Sequence, residues 1–192
     1  MKKNIYLLVL AFVAISLSSC SKYRGYDETE NGLFYKFYSQ AEDAQKPQIG
    51  DVLTLTLVYK TDKDSILEDS RQKPYPFMLI LRESQYKGDI YEGLAMMHLG
   101  DSASFILRAD SFYMTTAGFP ELPAFVTPDM MLYFDCKLAE IKPRAQFEKE
   151  MAEMQKKYAE EMEKNKEAEP ELIKKYIAEN KITAKPTASG LY

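Results

Sequence analysis

Asp89-Ile90-Tyr91-Glu92-Gly93-Leu94-Ala95-Met96-Met97-His98-Leu99-Gly100-Asp101 is the stretch on which the fold turns. Ile90, Leu94 and Met97 stand at i, i+4 and i+7, the spacing of one helical face. Asp89 occupies the N-cap position, where a short carboxylate accepts a free backbone N–H, and Gly100 stops the run. A single short amphipathic helix is therefore predicted, and its surroundings read as β. Upstream, Leu53, Leu55 and Leu57 alternate with Thr54, Thr56 and Val58 after the turn at Gly50-Asp51, the pattern of a half-buried strand. The run 76–81 is a second strand, and 103–107 and 131–141 supply two more. Between these last two, 109–128 carries three prolines and one glycine and is expected to be a long loop. Antiparallel strands with one short helix make an α+β domain.

Further out, the N-terminus opens with Met1-Lys2-Lys3, runs almost wholly apolar from Ile5 to Leu17, and reaches Leu17-Ser18-Ser19-Cys20. This is the order of a secretory signal, and the apolar run falls short of the about 20 residues that span a bilayer. The small residues before Cys20 resemble a bacterial lipobox. The resemblance implies that 1–19 is a signal peptide and that Cys20 carries lipid as the mature N-terminus. It further implies a cell-envelope location, and the non-acidic Ser21-Lys22 after Cys20 points to the outer membrane, facing the periplasm. The polar stretch 20–31 then reads as a lipidated tether, and 32–143 as the globular domain.

Residues 144–182 are rich in Glu, Lys, Ala and Met and read as a charged helical extension. Phe147, Met151, Met154, Tyr158 and Met162 form one narrow stripe along it. The stripe fits a domain face, a second copy of the chain, or a spacer helix whose apolar side is weakly covered. Pro170 is expected to restart the helix as a second one. The segment Thr187-Ala188-Ser189-Gly190-Leu191-Tyr192 echoes Thr29-Glu30-Asn31-Gly32-Leu33-Phe34-Tyr35. From that echo, 183–192 is expected to begin a second, truncated domain.

Composition narrows the function classes. Of 25 basic residues, Lys2 and Lys3 leave with the signal, so 23 face 29 acidic ones and the net charge moves from −4 to −6. That balance, without a basic patch interleaved with aromatics, argues against nucleic acid. Once Cys20 is lipidated only Cys136 of the two cysteines remains, so no intramolecular disulfide forms. Cys136 lies in an alternating strand and reads as a small buried hydrophobe. The one histidine, His98, has no ligand cluster around it and reads as structural. No metal or cofactor is expected.

Taken in order, several segments resemble an FKBP-type peptidyl-prolyl isomerase over roughly Gly50 to Ile141. They are Gly50-Asp51-Val52, Glu68-Asp69-Ser70-Arg71, Lys73-Pro74-Tyr75-Pro76-Phe77-Met78-Leu79, Tyr91 to Asp101, Ala109-Asp110-Ser111-Phe112-Tyr113 and Leu132 to Leu138. The resemblance implies a twisted antiparallel sheet wrapped on one short helix, and rotation about X–Pro bonds without covalent chemistry. It places Tyr113 as the hydroxyl that binds a substrate carbonyl, and Glu68 where the family has an aspartate; these are the implied catalytic residues. Tyr75, Phe77 and Phe134 match aromatics of the substrate pocket. Leu67 replaces a phenylalanine, Leu57 stands where a tyrosine is aligned, and Ile90 replaces the tryptophan that floors the pocket. Phe125 and Val126 fit the apolar tip of the long loop. The implied partners are proline-containing segments of exported proteins, and the membrane through Cys20. A catalytically weak peptide-binding or chaperone module, or an envelope-complex scaffold, stays open beside the enzyme.

Overall fold

The computed structural model describes residues 22–183, 185 and 187. The expected signal 1–19 and Cys20 lie outside them, as do most residues of the expected second-domain start 183–192. The chain divides into two compact units, 1–144 and 145–192.

In the first unit seven strands form one antiparallel sheet. They are β1 (Asp27–Glu28), β2 (Phe34–Ser39), β3 (Val52–Thr61), β4 (Ile66–Asp69), β5 (Phe77–Ile80), β6 (Ser102–Arg108) and β7 (Met131–Lys142). Their order is β1-β2-β6-β7-β3-β4, and β5 also pairs with β3. The helix α1 (Ile90–Met96) is where the opening stretch predicts it, capped by the Asp89 carboxylate accepting from the Tyr91 N–H. The FKBP-like α+β fold is thus the one observed.

Alternation along the strands decides the two faces. Leu53, Leu55 and Leu57 of β3 and Leu132, Phe134, Cys136 and Leu138 of β7 point inward with Ala103, Phe105 and Leu107 of β6. Onto this face α1 lays Ile90, Leu94 and Met97, the three positions its spacing singles out. The helix can approach so closely because of Gly93. A methyl added there would come within 2.5 Å of the Phe105 ring, and Phe105 is fully buried.

Three expectations are corrected. The tether read over 20–31 is packed on the sheet from Tyr23 onward. Tyr23 meets Phe34 edge-on at 4.7 Å, Tyr26 donates to Ser104 at 2.9 Å, and β1 pairs with β2. The aromatic residues among polar ones give that stretch surface to bury. The loop read over 109–128 begins instead as the helix α2 (Ala109–Ser111), which runs on as a π-helix over Phe112–Thr116. Its first proline is Pro120 and its glycine is Gly118, so nothing before them breaks the coil.

The third correction concerns Pro170, which does not restart a helix. In the second unit one helix, α3, runs over Arg144–Glu179 with Pro170 inside it. A proline forfeits one i→i−4 bond, and the strong helix formers on both sides carry the chain through. The helix closes with Lys181 at φ 52 and Ile182 N–H bonded to the Ile177 carbonyl at 3.0 Å, a left-handed C-terminal cap. No described helix is long and apolar enough to cross a membrane.

Gly93→Ala is expected to destabilise the protein by about 1–3 kcal/mol, the range for overpacking a filled core. A lower urea midpoint at unchanged m-value is the measurement that checks it.

Candidate functional site

The inner face is not filled to its edge. Beyond α1 a cavity of about 570 Å³ opens. Leu55, Leu57 and Tyr59 of β3 and Phe134 and Cys136 of β7 form its back, and Ile90, Tyr91 and Leu94 of α1 line one side. Phe112, Thr116 and Ala117 form a wall, and Glu68, Ser70 and the run 73–77 form the mouth. A cleft of this size, mostly apolar with a few polar groups, is the usual form of a small-ligand or peptide-side-chain site.

The aromatic side of the cavity is built as one unit. Tyr59 stacks on Phe134 with ring centres 4.7 Å apart and planes at 13°. Phe112 meets both rings edge-on, at 5.6 Å from Tyr59 and 4.9 Å from Phe134. Behind Phe112 lies Tyr113, at 5.3 Å and 5 % exposed, so the cavity is lined by Phe112 and Tyr59 and not by Tyr113. Tyr113 stands next to Tyr59 behind the wall, close enough for each phenol to bear on the electrostatics of the other. Its ring also meets those of Phe119 and Phe125 edge-on, which ties the following loop to the wall.

Of the other residues singled out from sequence, Glu68, Leu57, Tyr75, Phe77, Ile90 and Phe134 all line the cavity. Tyr75 stands at the rim, 78 % exposed. Glu68 faces Lys73 Nζ at 3.4 Å across the mouth. Leu67 and Val126 are half-buried against the core, and Phe125 is exposed on the loop; none of the three lines the cavity. Leu57, aligned with a tyrosine, is one strand pair short. The tyrosine of this site is Tyr59, two residues on and on the same face. Carrying the alternation Leu53, Leu55, Leu57 one step further finds it. Phe112 and Thr116 were hidden by reading their segment as loop.

Two polar groups fix the frame. Asp89 is fully buried. Its carboxylate accepts from Gln85 N–H at 3.0 Å, from Tyr91 N–H at 3.4 Å and from the Thr116 hydroxyl at 3.2 Å. The Thr116 oxygen also lies 3.2 Å from the Tyr86 hydroxyl. One carboxylate therefore joins the start of α1, which carries Ile90, to the π-helical wall. At the mouth, the Ser70 hydroxyl accepts from Leu57 N–H at 2.9 Å. Next to it Asp69 grips Arg71 through two side-chain bonds at 2.8 and 2.7 Å. That guanidinium holds the Asp69 carboxyl well below the usual carboxylate range.

Buried rings leave their phenols protonated. Desolvation, the main cause in each case, pushes Tyr59, Tyr86 and Tyr113 above the ordinary value of 10.0, and Tyr26 up to about 12. The buried thiol of Cys136 is pushed up in the same way, so it is no nucleophile at neutral pH. Among the described residues no group of carboxylates, thiols and imidazoles is placed to hold a metal ion.

No protein-family model matches the chain, and no curated relative matches it. Among solved structures it is similar to FkpA from Escherichia coli. The two are 20 % identical with a TM-score of 0.52, over 75 % of this chain and 74 % of that one. A peptidyl-prolyl cis-trans isomerase from Pseudomonas syringae pv. tomato str. DC3000 also matches. There the identity is 18 % and the TM-score 0.48, over 69 % of this chain and 90 % of that one. The likeness to FkpA is one of fold.

The raised phenols give a pH dependence of definite sign. Unfolded tyrosines ionise near pH ~10, while these folded ones ionise higher. The stability they confer is intact below that pH and is lost as the pH rises above it. In an alkaline titration, tyrosinate absorbance is expected to lag behind free tyrosine. It should then jump together with loss of the far-ultraviolet circular dichroism.

Proposed function

We propose that this chain is an exported, lipid-anchored folding factor that isomerises X–Pro bonds in proteins of the cell envelope. The observation that carries this reading is the apolar cavity with the Tyr59 hydroxyl set in its aromatic wall. Amide planarity raises a barrier of ~18–20 kcal/mol to rotation. Water favours the planar, charge-separated resonance form, so stripping water from the bond lowers the cost of twisting it. Leu55, Leu57, Ile90, Phe112 and Phe134 supply the dry surface. Tyr59, on the cavity wall, is placed to donate to a substrate carbonyl and fix the peptide while it turns. Glu68 and Lys73 pair at the mouth, where an entering chain would pass them. The clients are proline-containing segments of exported chains.

A second reading is favoured by one specific observation. Met114, Phe119, Leu122 and Phe125 are all exposed on and after the π-helix, an apolar surface of the kind that holds unfolded segments. A module that uses this surface as a chaperone isomerises weakly.

A refolding-coupled isomerase assay on the mature chain separates the two. Acceleration over buffer is expected, with Tyr59→Phe lowering kcat/KM roughly 2–10-fold, the worth of one neutral hydrogen bond of about 0.5–1.5 kcal/mol. No acceleration by the wild type, together with suppressed aggregation of an unfolded client, would establish the second reading instead. Export is tested apart from catalysis. Cys20→Ala is expected to abolish metabolic labelling with palmitate and leave the unprocessed precursor mass, and a labelled variant would overturn the anchor.

A further inference from the structure

The two faces of the sheet are bound to different things. The cavity lies on the inner face, with Leu57, Tyr59, Phe134 and Cys136. The residues alternating with them, Val58, Lys60, Tyr133 and Asp135, point outward. On that outer face sits a second, smaller cluster. Ile106 is 0 % exposed although its strand neighbours Phe105 and Leu107 belong to the inner core. It pairs with Phe34 and Tyr133 on the flanking strands, and the ring of Tyr23 meets both of these, at 4.7 and 6.2 Å. Tyr26 adds its bond to the buried Ser104 of β6. The segment entering the domain is therefore clasped across the outer face from Tyr23 onward.

Covalent geometry then limits where an anchor can be. Cys20 precedes Tyr23 by three residues, and at the full reach of an extended chain that is about 10 Å. A domain of about 120 residues is roughly 35 Å across. A lipid on Cys20 cannot swing round to the side on which the cavity opens. The groups nearest the clasp are of mixed charge: Asp62, Asp64 and Asp135 share that face with Tyr26, Tyr38 and Lys60, and two more lysines lie over its rings. Lys22 lies over the Tyr23 ring and Lys36 over the Tyr38 ring, with Tyr38 largely exposed. Lysines with amphipathic rings are the usual residues of a membrane interface.

We propose that the outer face of the sheet, around Tyr23, Lys36 and Tyr38, is apposed to the bilayer surface, so that the peptide cavity opens away from the membrane. This rests on the lipid anchor read at Cys20. It makes the clasp an orienting device and presents the cavity to clients that approach from the aqueous compartment.

The chain contains no tryptophan, so a single introduced indole reports its own position. The mature chain is coupled through Cys20 to a maleimide phospholipid, Cys136 being buried. The vesicles are of phosphatidylcholine and phosphatidylglycerol and carry an energy acceptor on their headgroups. Tyr38→Trp on the outer face is expected to transfer energy at least several-fold more efficiently than Tyr75→Trp at the cavity rim. Equal or reversed transfer would overturn the proposal. Tyr23→Ala, which opens the clasp, is expected to shrink the contrast, and an unchanged contrast would overturn the clasp as its cause. Because the anchor is installed chemically, these outcomes are independent of whether cells acylate Cys20, which the palmitate labelling of Cys20→Ala decides separately.

Discussion

The pairing of β3 with β7 is the interaction on which the remainder of this molecule depends. It runs from Val52 opposite Lys142 to Thr61 opposite Leu132, and it sits at the middle of the sheet with β6 on one side and β4 and β5 on the other. Apart from one irregularity, between Thr54 and Leu55, where β7 carries an extra residue, side chains alternate along the ladder, so fixing this register fixes both faces at once. At one end of the ladder the inward residues, Leu53 and Leu138, are closed over as core. At the other end they are Tyr59 and Phe134, whose stacked rings back an open cavity. Core and site are two ends of one ladder. A register slip of one residue would turn both outward together.

What keeps the cavity open is a polar constraint on its walls. Asp89 is a carboxylate with no exposure to water, and such a group is tolerated only when donors surround it. Those donors come from the chain before α1, from the first turn of α1 and from Thr116 of the π-helix. Moving α1 toward the wall to fill the space, or letting the wall collapse onto α1, would strand part of that carboxylate. The π-helix has its own role in this. Its wider turn places Phe112 in the cavity wall and turns Tyr113 behind it. Wide turns of this kind are uncommon and recur at functional positions.

The legible part of this fold was the part governed by short periods. Asp89 and the spacing of Ile90, Leu94 and Met97 gave α1 with its cap, and the alternation of Leu53, Leu55 and Leu57 gave β3 with its inner face. Much of the cavity lining followed from resemblance, including Ile90, Phe77 and Phe134. The remainder depended on tertiary partners that no local pattern encodes. Residues 22–31 look like a polar tether until Phe34, Ile106 and Tyr133 provide a surface for Tyr23. Thr116 is an unremarked hydroxyl until Asp89 lies beside it. The resemblance places Tyr113 in the pocket, whereas the structure puts Phe112 there and Tyr113 behind it, because the wider turn of a π-helix cannot be read from spacing.

Ile90, which the resemblance aligns with a floor tryptophan, bears on what such a cavity can do. An aromatic side chain buries about 150–250 Å² in all, and at the floor it would present one flat face of that surface. Ile90 presents a smaller, branched surface that is itself almost fully buried. The contact area lost at the floor is partly returned at the wall, where Phe112, Phe134 and Tyr59 form a three-ring cluster. Desolvation of an amide depends on excluding water and not on ring stacking as such, so an aliphatic floor preserves the dry environment while loosening shape selection. A site of this kind favours breadth over tight binding. That is compatible with the folding factor proposed above, which would take many X–Pro sequences and release each after a single turn of the bond.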